Sequence, residues 1–198
     1  MHRLNRGGSR EGGELLVAAV SPGARLGAVA ERAALVVGFA LLTALGAQVR
    51  IPLPFTPVPL SLQTFAVLLA GLALGGGLGA LSQAVYVALG TLGAPVFAGG
   101  AGTAWLFGPT GGYLMGFVLA ALLVGQLSRA LDARHRPWRL LGVLAAGIVA
   151  VYVPGVIWLA LVTGMGLGKA VVVGALPFVP GDVLKALLAA TIWMRLPR

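Results

Sequence analysis

The stretch LLGVLAAGIVAVYVPGVIWLALV, residues 140–162, decides the fold. It carries no charged side chain from Leu140 to Val162, and it has the length, about 20 residues, that a helix needs to cross the hydrocarbon of a bilayer. The rest of the chain has the same character. Of its 198 residues 59% are hydrophobic and only 10% charged, with a mean hydropathy of +0.98; a soluble domain carries about 25% charged residues. Where no water reaches the backbone, every N–H and C=O must be paired within the protein, which leaves a helical bundle or a closed barrel. Barrel strands alternate apolar and polar residues. These segments are continuously apolar, so the fold class is an all-α integral membrane protein.

Working outward from residues 140–162, five further spans are predicted: Ala33 to Val49, Leu60 to Leu74, Ala80 to Leu92, Tyr113 to Leu131 and Asp182 to Arg195. Lys169 to Leu176 reads as a short amphipathic or re-entrant piece. Residues 31–198 form the six-helix membrane domain. Residues 1–30, polar and rich in Gly and Arg, read as a disordered or surface-lying extension; the apolar run Leu15 to Val20 is too short for a signal-peptide core. An even number of spans puts both termini on one side. Arg3, Arg6, Arg10, Arg25 and Arg32 precede the first span, Arg129, Arg134, Arg136 and Arg139 lie between the fourth and fifth, and Arg195 and Arg198 end the chain. Of the 14 Lys and Arg residues, only Arg50, Lys169 and Lys185 fall elsewhere. The basic side of a membrane protein is the cytoplasmic side, so the arrangement is N-in and C-in, and the net charge of +9 reflects orientation rather than nucleic-acid binding.

The three unusual connections then share the outer face. Pro52, Pro54, Pro57 and Pro59 keep residues 50–59 out of helix. Residues 93–112 are a Gly/Pro loop, and residues 163–181 include Pro177 and Pro180. All are apolar enough to fold over a pocket. By contrast, the connection at 75–79 on the inner side is minimal.

Asp182 and Lys185 are charges where charges are expensive. An ionisable residue inside a membrane segment faces a partner, a cavity or a ligand, and three residues of helix separate these two onto one face. At about 1.5 Å per residue, Lys185 stands roughly 15 Å above Arg195, close to the middle of a core about 30 Å thick. Two structural readings compete with ligand binding. Asp182 can cap the helix that starts after Pro180 and Gly181, and Lys185 can simply pair with Asp182. Gln83 and Tyr86 share a face of the third span, where an interhelical hydrogen bond is the alternative to a ligand contact. Tyr113 begins the fourth span as a substrate-binding candidate or an interfacial aromatic. Gly99 and Gly100 let backbone approach a ligand, or only make a turn. Trp105, Trp138 and Trp193 read as interfacial belt residues. Ala40 and Ala44 form a small-residue face for another membrane protein, or for internal packing.

Several function classes fall away. With no cysteine and only two histidines, there is no thiol nucleophile, disulfide or metal constellation. Gly164-x-x-x-Gly168-Lys169-Ala170 approaches a phosphate-binding loop but is one residue short and lacks the Ser or Thr. No catalytic residues and no cofactor site are expected. A stand-alone small-solute facilitator would need a polar stripe through the bundle, whereas the polar residues crowd at the outer half.

Four blocks resemble a known family: Ala44-Leu-Gly-Ala-Gln-Val-Arg-Ile-Pro-Leu-Pro-Phe-Thr-Pro-Val-Pro59, Gly93-Ala-Pro-Val-Phe-Ala-Gly-Gly100, Gly108-Pro-Thr-Gly-Gly-Tyr113 and Pro180-Gly-Asp-Val-Leu-Lys185. In this order, over about residues 32–195, they are similar to the BioY family, the biotin-specific S components of energy-coupling factor (ECF) transporters. The resemblance implies a six-helix subunit in the cytoplasmic membrane of a prokaryote that captures biotin outside. Its partners would be a transmembrane coupling protein and two cytoplasmic ABC-type ATPases. It implies Asp182 and Lys185 in the substrate site, and Ala40 and Ala44 against the coupling protein. An S component for another vitamin would share the scaffold and differ only in the pocket.

Overall fold

The computed structural model describes residues 22–196. The chain divides into two units, Met1–Leu35 and Val36–Arg198. Of the expected extension, residues 1–21 lie outside the described residues, while Pro22–Ala30 are helical: α1 runs Pro22–Gln48, starting eleven residues before the predicted Ala33. Proline is compatible with a first helical position because its missing N–H has no partner there. Ala, Leu, Arg and Glu then propagate helix well, and polarity does not stop a helix. In the first unit every side chain from Arg25 to Leu35 is exposed.

The second unit holds the remaining elements. After α1 the proline-rich run is looped out between two short strands, β1 Arg50–Ile51 and β2 Leu60–Ser61. They pair antiparallel, Arg50 opposite Ser61 and Ile51 opposite Leu60. Prolines cannot donate to a ladder, so they sit in the loop and the ribbon closes beneath them. The second span therefore loses its first residues, and α2 is only Gln63–Leu74. Gly75, at a φ of 82° that favours glycine,, turns the chain straight into α3, Gly76–Thr91. The Gly/Pro loop contains a one-turn helix α4, Thr103–Phe107. Then follow α5 Gly111–Ala130, a 3₁₀ turn Ala133–His135, α6 Pro137–Thr163, α7 Leu167–Gly174 and α8 Val179–Arg195.

Among the described residues three helices are long and apolar enough to cross a membrane: the Arg25–Gln48 part of α1, α5 and α6. The pair α7 and α8, bent by 53°, makes a fourth if counted as one span. At about 1.5 Å per residue α2 and α3 reach only ~18 and ~24 Å, less than a full crossing.

Close approach of α5 and α6 builds the centre of the unit. A Cβ on Gly112 would overlap the carbonyl of Pro154, and one on Gly116 would lie 2.7 Å from the carbonyl of Val151. Small residues four apart let two backbones touch where lipid gives no hydrophobic driving force between helices. Two apolar clusters flank this seam. One includes Tyr86, Phe97, Tyr113, Phe117, Leu159 and Phe178; the other includes Leu68, Leu72, Val124, Leu144 and Trp193.

Arginines knit one end together. Arg129 donates to the carbonyl of Leu74 at 3.2 Å, Arg139 to that of Leu131 at 2.8 Å, and Arg134 to those of Met194 and Leu196. Each satisfies carbonyls left over where a helix ends. Arg134 also lies over the Trp193 ring, 5.2 Å from its centroid. The α2–α3 corner, the α5–α6 link and the end of α8 thus meet at one end of the unit.

Gly116→Leu is expected to lower the stability of the detergent-solubilised protein by about 3 kcal/mol or more, the upper range for overpacking, because backbone rather than a movable side chain stands in the way. Thermal unfolding measures this; an unchanged midpoint would contradict the close approach of α5 and α6.

Candidate functional site

The bend between α7 and α8 sets the position of the two interior charges. Phe178 precedes α8, and Pro180 lies in its first turn, where a missing N–H costs nothing. The N–H of Asp182 already donates to the carbonyl of Phe178 at 2.9 Å. Asp182 is therefore inside the helix rather than at its cap, and its side chain makes no capping bond. The carboxylate turns to other partners. Lys185 Nζ donates to Asp182 Oδ1 at 2.7 Å, and the hydroxyl of Tyr152 on α6 donates to Oδ2 at 2.5 Å. Asp182 is 3% and Lys185 8% exposed.

This group closes one side of a cavity. Its walls are largely apolar and aromatic: Leu114, Phe117, Val151 and Phe178 from the helices, with Phe97 and Trp105 from the connection between α3 and α5. Ser61, Gln63, Thr64, Thr110 and Tyr113 add polar atoms. The space free of protein atoms, open mouth included, is about 610 Å³, within the roughly 300–1,000 Å³ of small-molecule sites. An apolar slot with a compact ionic group at one side suits a small molecule with an apolar body and a polar head.

A hydrogen-bonded chain fixes the polar wall. Ser61 Oγ donates to Gln63 Oε1 at 2.9 Å, Gln63 Nε2 to the Tyr86 hydroxyl at 2.7 Å, and that hydroxyl to the Val96 carbonyl at 3.2 Å. The Tyr86 ring meets Phe97 edge-on, with centroids 5.6 Å apart. Ribbon, α2, α3 and the Gly/Pro loop are joined at this point.

Of the residues singled out in the sequence, Asp182, Lys185 and Tyr113 come together on the cavity wall. Tyr113 spends its hydroxyl on the Gly174 carbonyl, 2.7 Å away, and offers the cavity its ring. Tyr86 stands behind the wall, supporting Gln63 and Phe97. Gln83 is fully buried away from the cavity: its Oε1 accepts from Thr43 of α1 at 3.1 Å and its Nε2 donates to Ser82. Gly99 and Gly100 do not line the cavity either; Phe97 and Ala98 do. At Gly99, φ is 122°, and a Cβ there would overlap the guanidinium of Arg50; one at Gly100 would overlap the Trp105 indole. These glycines make room for two side chains of the protein itself.

Of the two readings of Ala40 and Ala44, the structure shows internal packing. Ala40 is 1% exposed and Ala44 half-buried, both packed in the core cluster. On that face Thr43 reaches Gln83, while Val37, Leu41 and Leu45 point outward. The small residues let α1 approach its own bundle: Ala40 is buried there, and Ala44 keeps part of its surface exposed.

Tyr152, Gln63 and Trp105 also line the cavity, and the sequence did not mark them as candidates. Tyr152 had a signal: it sits mid-span between Val151 and Val153, far from the membrane interface where tyrosines gather. Gln63 showed only as a polar residue near a span end, and Trp105 looked like an interfacial anchor.

The family model described as the BioY family matches residues 18–198. The chain is 42% identical to a probable biotin transporter BioY of Pyrococcus horikoshii over 84% of this chain and 96% of that one. It is 43% identical to the biotin transporter BioY of Thermotoga maritima, over 81% and 92% respectively. In three dimensions it resembles the crystal structure of the S-component for biotin from an ECF-type ABC transporter, with a TM-score of 0.78, 28% identity, and coverage of 89% of this chain and 93% of that one.

Asp182→Ala is expected to destabilise the protein by about 3–5 kcal/mol, because it leaves a buried ammonium without its anion. The double variant Asp182→Ala/Lys185→Met should recover part of that loss, since contacting residues are not additive. Chemical or thermal unfolding of the three proteins tests this, and a double variant no better than the single one would argue against a coupled pair.

Proposed function

The chain belongs to the BioY family, and we infer that it captures biotin at the membrane as the substrate-binding S component of an ECF-type transporter. The observation that carries this reading is the cavity itself: aromatic and aliphatic walls with a buried Asp182–Lys185–Tyr152 group at one side. Biotin has an apolar bicyclic body and two polar ends, a ureido group and a carboxylate, and such a site holds both kinds of surface. Asp182, Lys185, Tyr152 and Gln63 are its polar contacts; Tyr113, Phe97 and Trp105 form walls.

The bundle crosses the membrane six times, through α1, α2, α3, α5, α6 and the bent α7–α8 pair. The short α2 and α3 reach the outer surface only with help from the ribbon and the Gly/Pro loop above them. Both termini face the cytoplasm. This orientation is supported by the arginine-tied end, which gathers the basic residues the positive-inside rule assigns to the cytoplasm, with the cavity and the long connections away from it. The membrane is the cytoplasmic membrane of a prokaryote. The partners are a transmembrane coupling protein and two cytoplasmic ABC-type ATPases, which supply the energy; the chain itself catalyses no reaction and needs no cofactor.

Calorimetry on the purified protein in detergent tests the reading, with thiamine and riboflavin as controls. Biotin alone is expected to bind. Lys185→Ala, in protein with an intact unfolding transition, is expected to weaken binding by about 30-fold or more, the effect of truncating a buried charged partner. Binding of another vitamin in preference to biotin would overturn the substrate. In cells, removal of the ATPases is expected to stop uptake; uptake at full rate without them would show a stand-alone facilitator.

A further inference from the structure

We propose that the arginine-tied end carries a binding site for an anionic phospholipid. Arg136 and Arg139 hold the headgroup phosphate, and an acyl chain runs from Trp138 along the outward face of α6.

The site begins with a surplus of positive charge. From Arg129 to Arg139 the chain carries four arginines and a single acid, Asp132. That acid is engaged by His135, whose Nδ1 lies 2.7 Å from its Oδ1. The hydrogen bond from His135, with the charges of Arg136 and Arg139 behind it, holds the Asp132 carboxyl below the usual carboxylate range. Arg129 and Arg134 spend donors on the carbonyls of Leu74, Met194 and Leu196, which are neutral and leave both charges uncompensated. Arg139 gives one nitrogen to the Leu131 carbonyl at 2.8 Å. The exposed Arg136 side chain makes no hydrogen bond or ion pair among the described residues. A guanidinium fork matches phosphate oxygens at two points.

The link that carries these charges is held in place. Ala133 is fully buried and packs in the second apolar cluster, and Arg139 lies over the Trp138 ring, 5.0 Å from its centroid. Trp138 is itself 65% exposed. Leu141, Ala145 and Val149 follow it at spacings of three and four residues, on one face of α6, and all are exposed. Because α6 is long and apolar enough to cross a membrane, this face meets hydrocarbon, with the tryptophan at the level of the headgroups. Cations at the polar end of an apolar track match the two parts of a lipid, and basic sites at the ends of spanning helices recognise anionic headgroups. An acidic peptide or free phosphate would satisfy the arginines and leave the track uncovered.

Native mass spectrometry of the full chain in detergent, titrated with phosphatidylglycerol and with phosphatidylcholine of the same acyl chains, tests the site. Wild type is expected to retain phosphatidylglycerol about tenfold more tightly or better. Arg136→Gln, an exposed change that removes no bond within the protein, is expected to reduce that preference about fivefold. Lys169→Gln removes the same charge on α7, away from the arginine-tied end, and is expected to keep the preference. Trp138→Ala is expected to weaken both lipids. Equal retention of the two lipids by wild type, or a preference unchanged in Arg136→Gln, would overturn the proposal. So would an equal loss in Lys169→Gln, which would show an effect of net charge alone. Displacement of the lipid by an equal concentration of glycerol phosphate would assign the arginines to free phosphate instead. None of these measurements involves biotin, so they stand or fall apart from the transport reading.

Discussion

A lysine and an aspartate held 2.7 Å apart in an apolar bundle constrain much of what surrounds them. Either charge alone among those apolar walls is costly, so the chain supplies both from one helix face and brings a third group to the free carboxylate oxygen. Those demands fix how α8 begins. Its start at Val179 puts Asp182 one turn in, with its backbone already bonded to Phe178, and leaves the side chain for Tyr152 and Lys185. They also fix where α6 must pass, since Tyr152 comes from its middle.

The packing follows from the same need. For α6 to deliver Tyr152 to α8 while its other face meets α5, the α5 backbone has to come very close, and Gly112 and Gly116 permit that. Tyr113, between them in sequence, then lies on the cavity wall and bonds to Gly174 at the end of α7. The polar wall is built on the opposite side by Gln63 and its support Tyr86, which also holds Phe97 and the Val96 carbonyl in the Gly/Pro loop. The walls are thus set by hydrogen bonds that leave few polar groups of the scaffold unspent.

Much of this was legible in the sequence because lipid makes composition informative. Uncharged runs of helix length announce spans, and Asp182 and Lys185 stand out because two charges in an apolar segment need a partner, a cavity or a ligand. Direction was harder to read. Ala40 and Ala44 mark a face suited to close packing, but a flat face fits its own bundle as well as a partner, and only the tertiary structure shows it turned inward. Gln83 and Tyr86 share a span face, yet one bonds to Thr43 of α1 and the other to Gln63 of α2. Tyr152 escaped notice because a tyrosine in an apolar run is amphipathic and unremarkable until its partner is seen. The ribbon was hidden because prolines say what a segment cannot be and leave open what flanks it.

The arginine-tied end has a mechanical consequence. Helix α2 passes to α3 through Gly75 alone, and the short link from α5 to α6 is pinned by arginines that grip the ends of α2, α5 and α8. A connection with no slack cannot swing aside, and each grip would have to be released, exposing bare carbonyls, before neighbouring helices could part. The opposite end has its spare chain length in the proline loop and the glycine-rich segment. The second unit therefore has a floor of short, tied connections and a rim of long ones, and the cavity lies toward the rim.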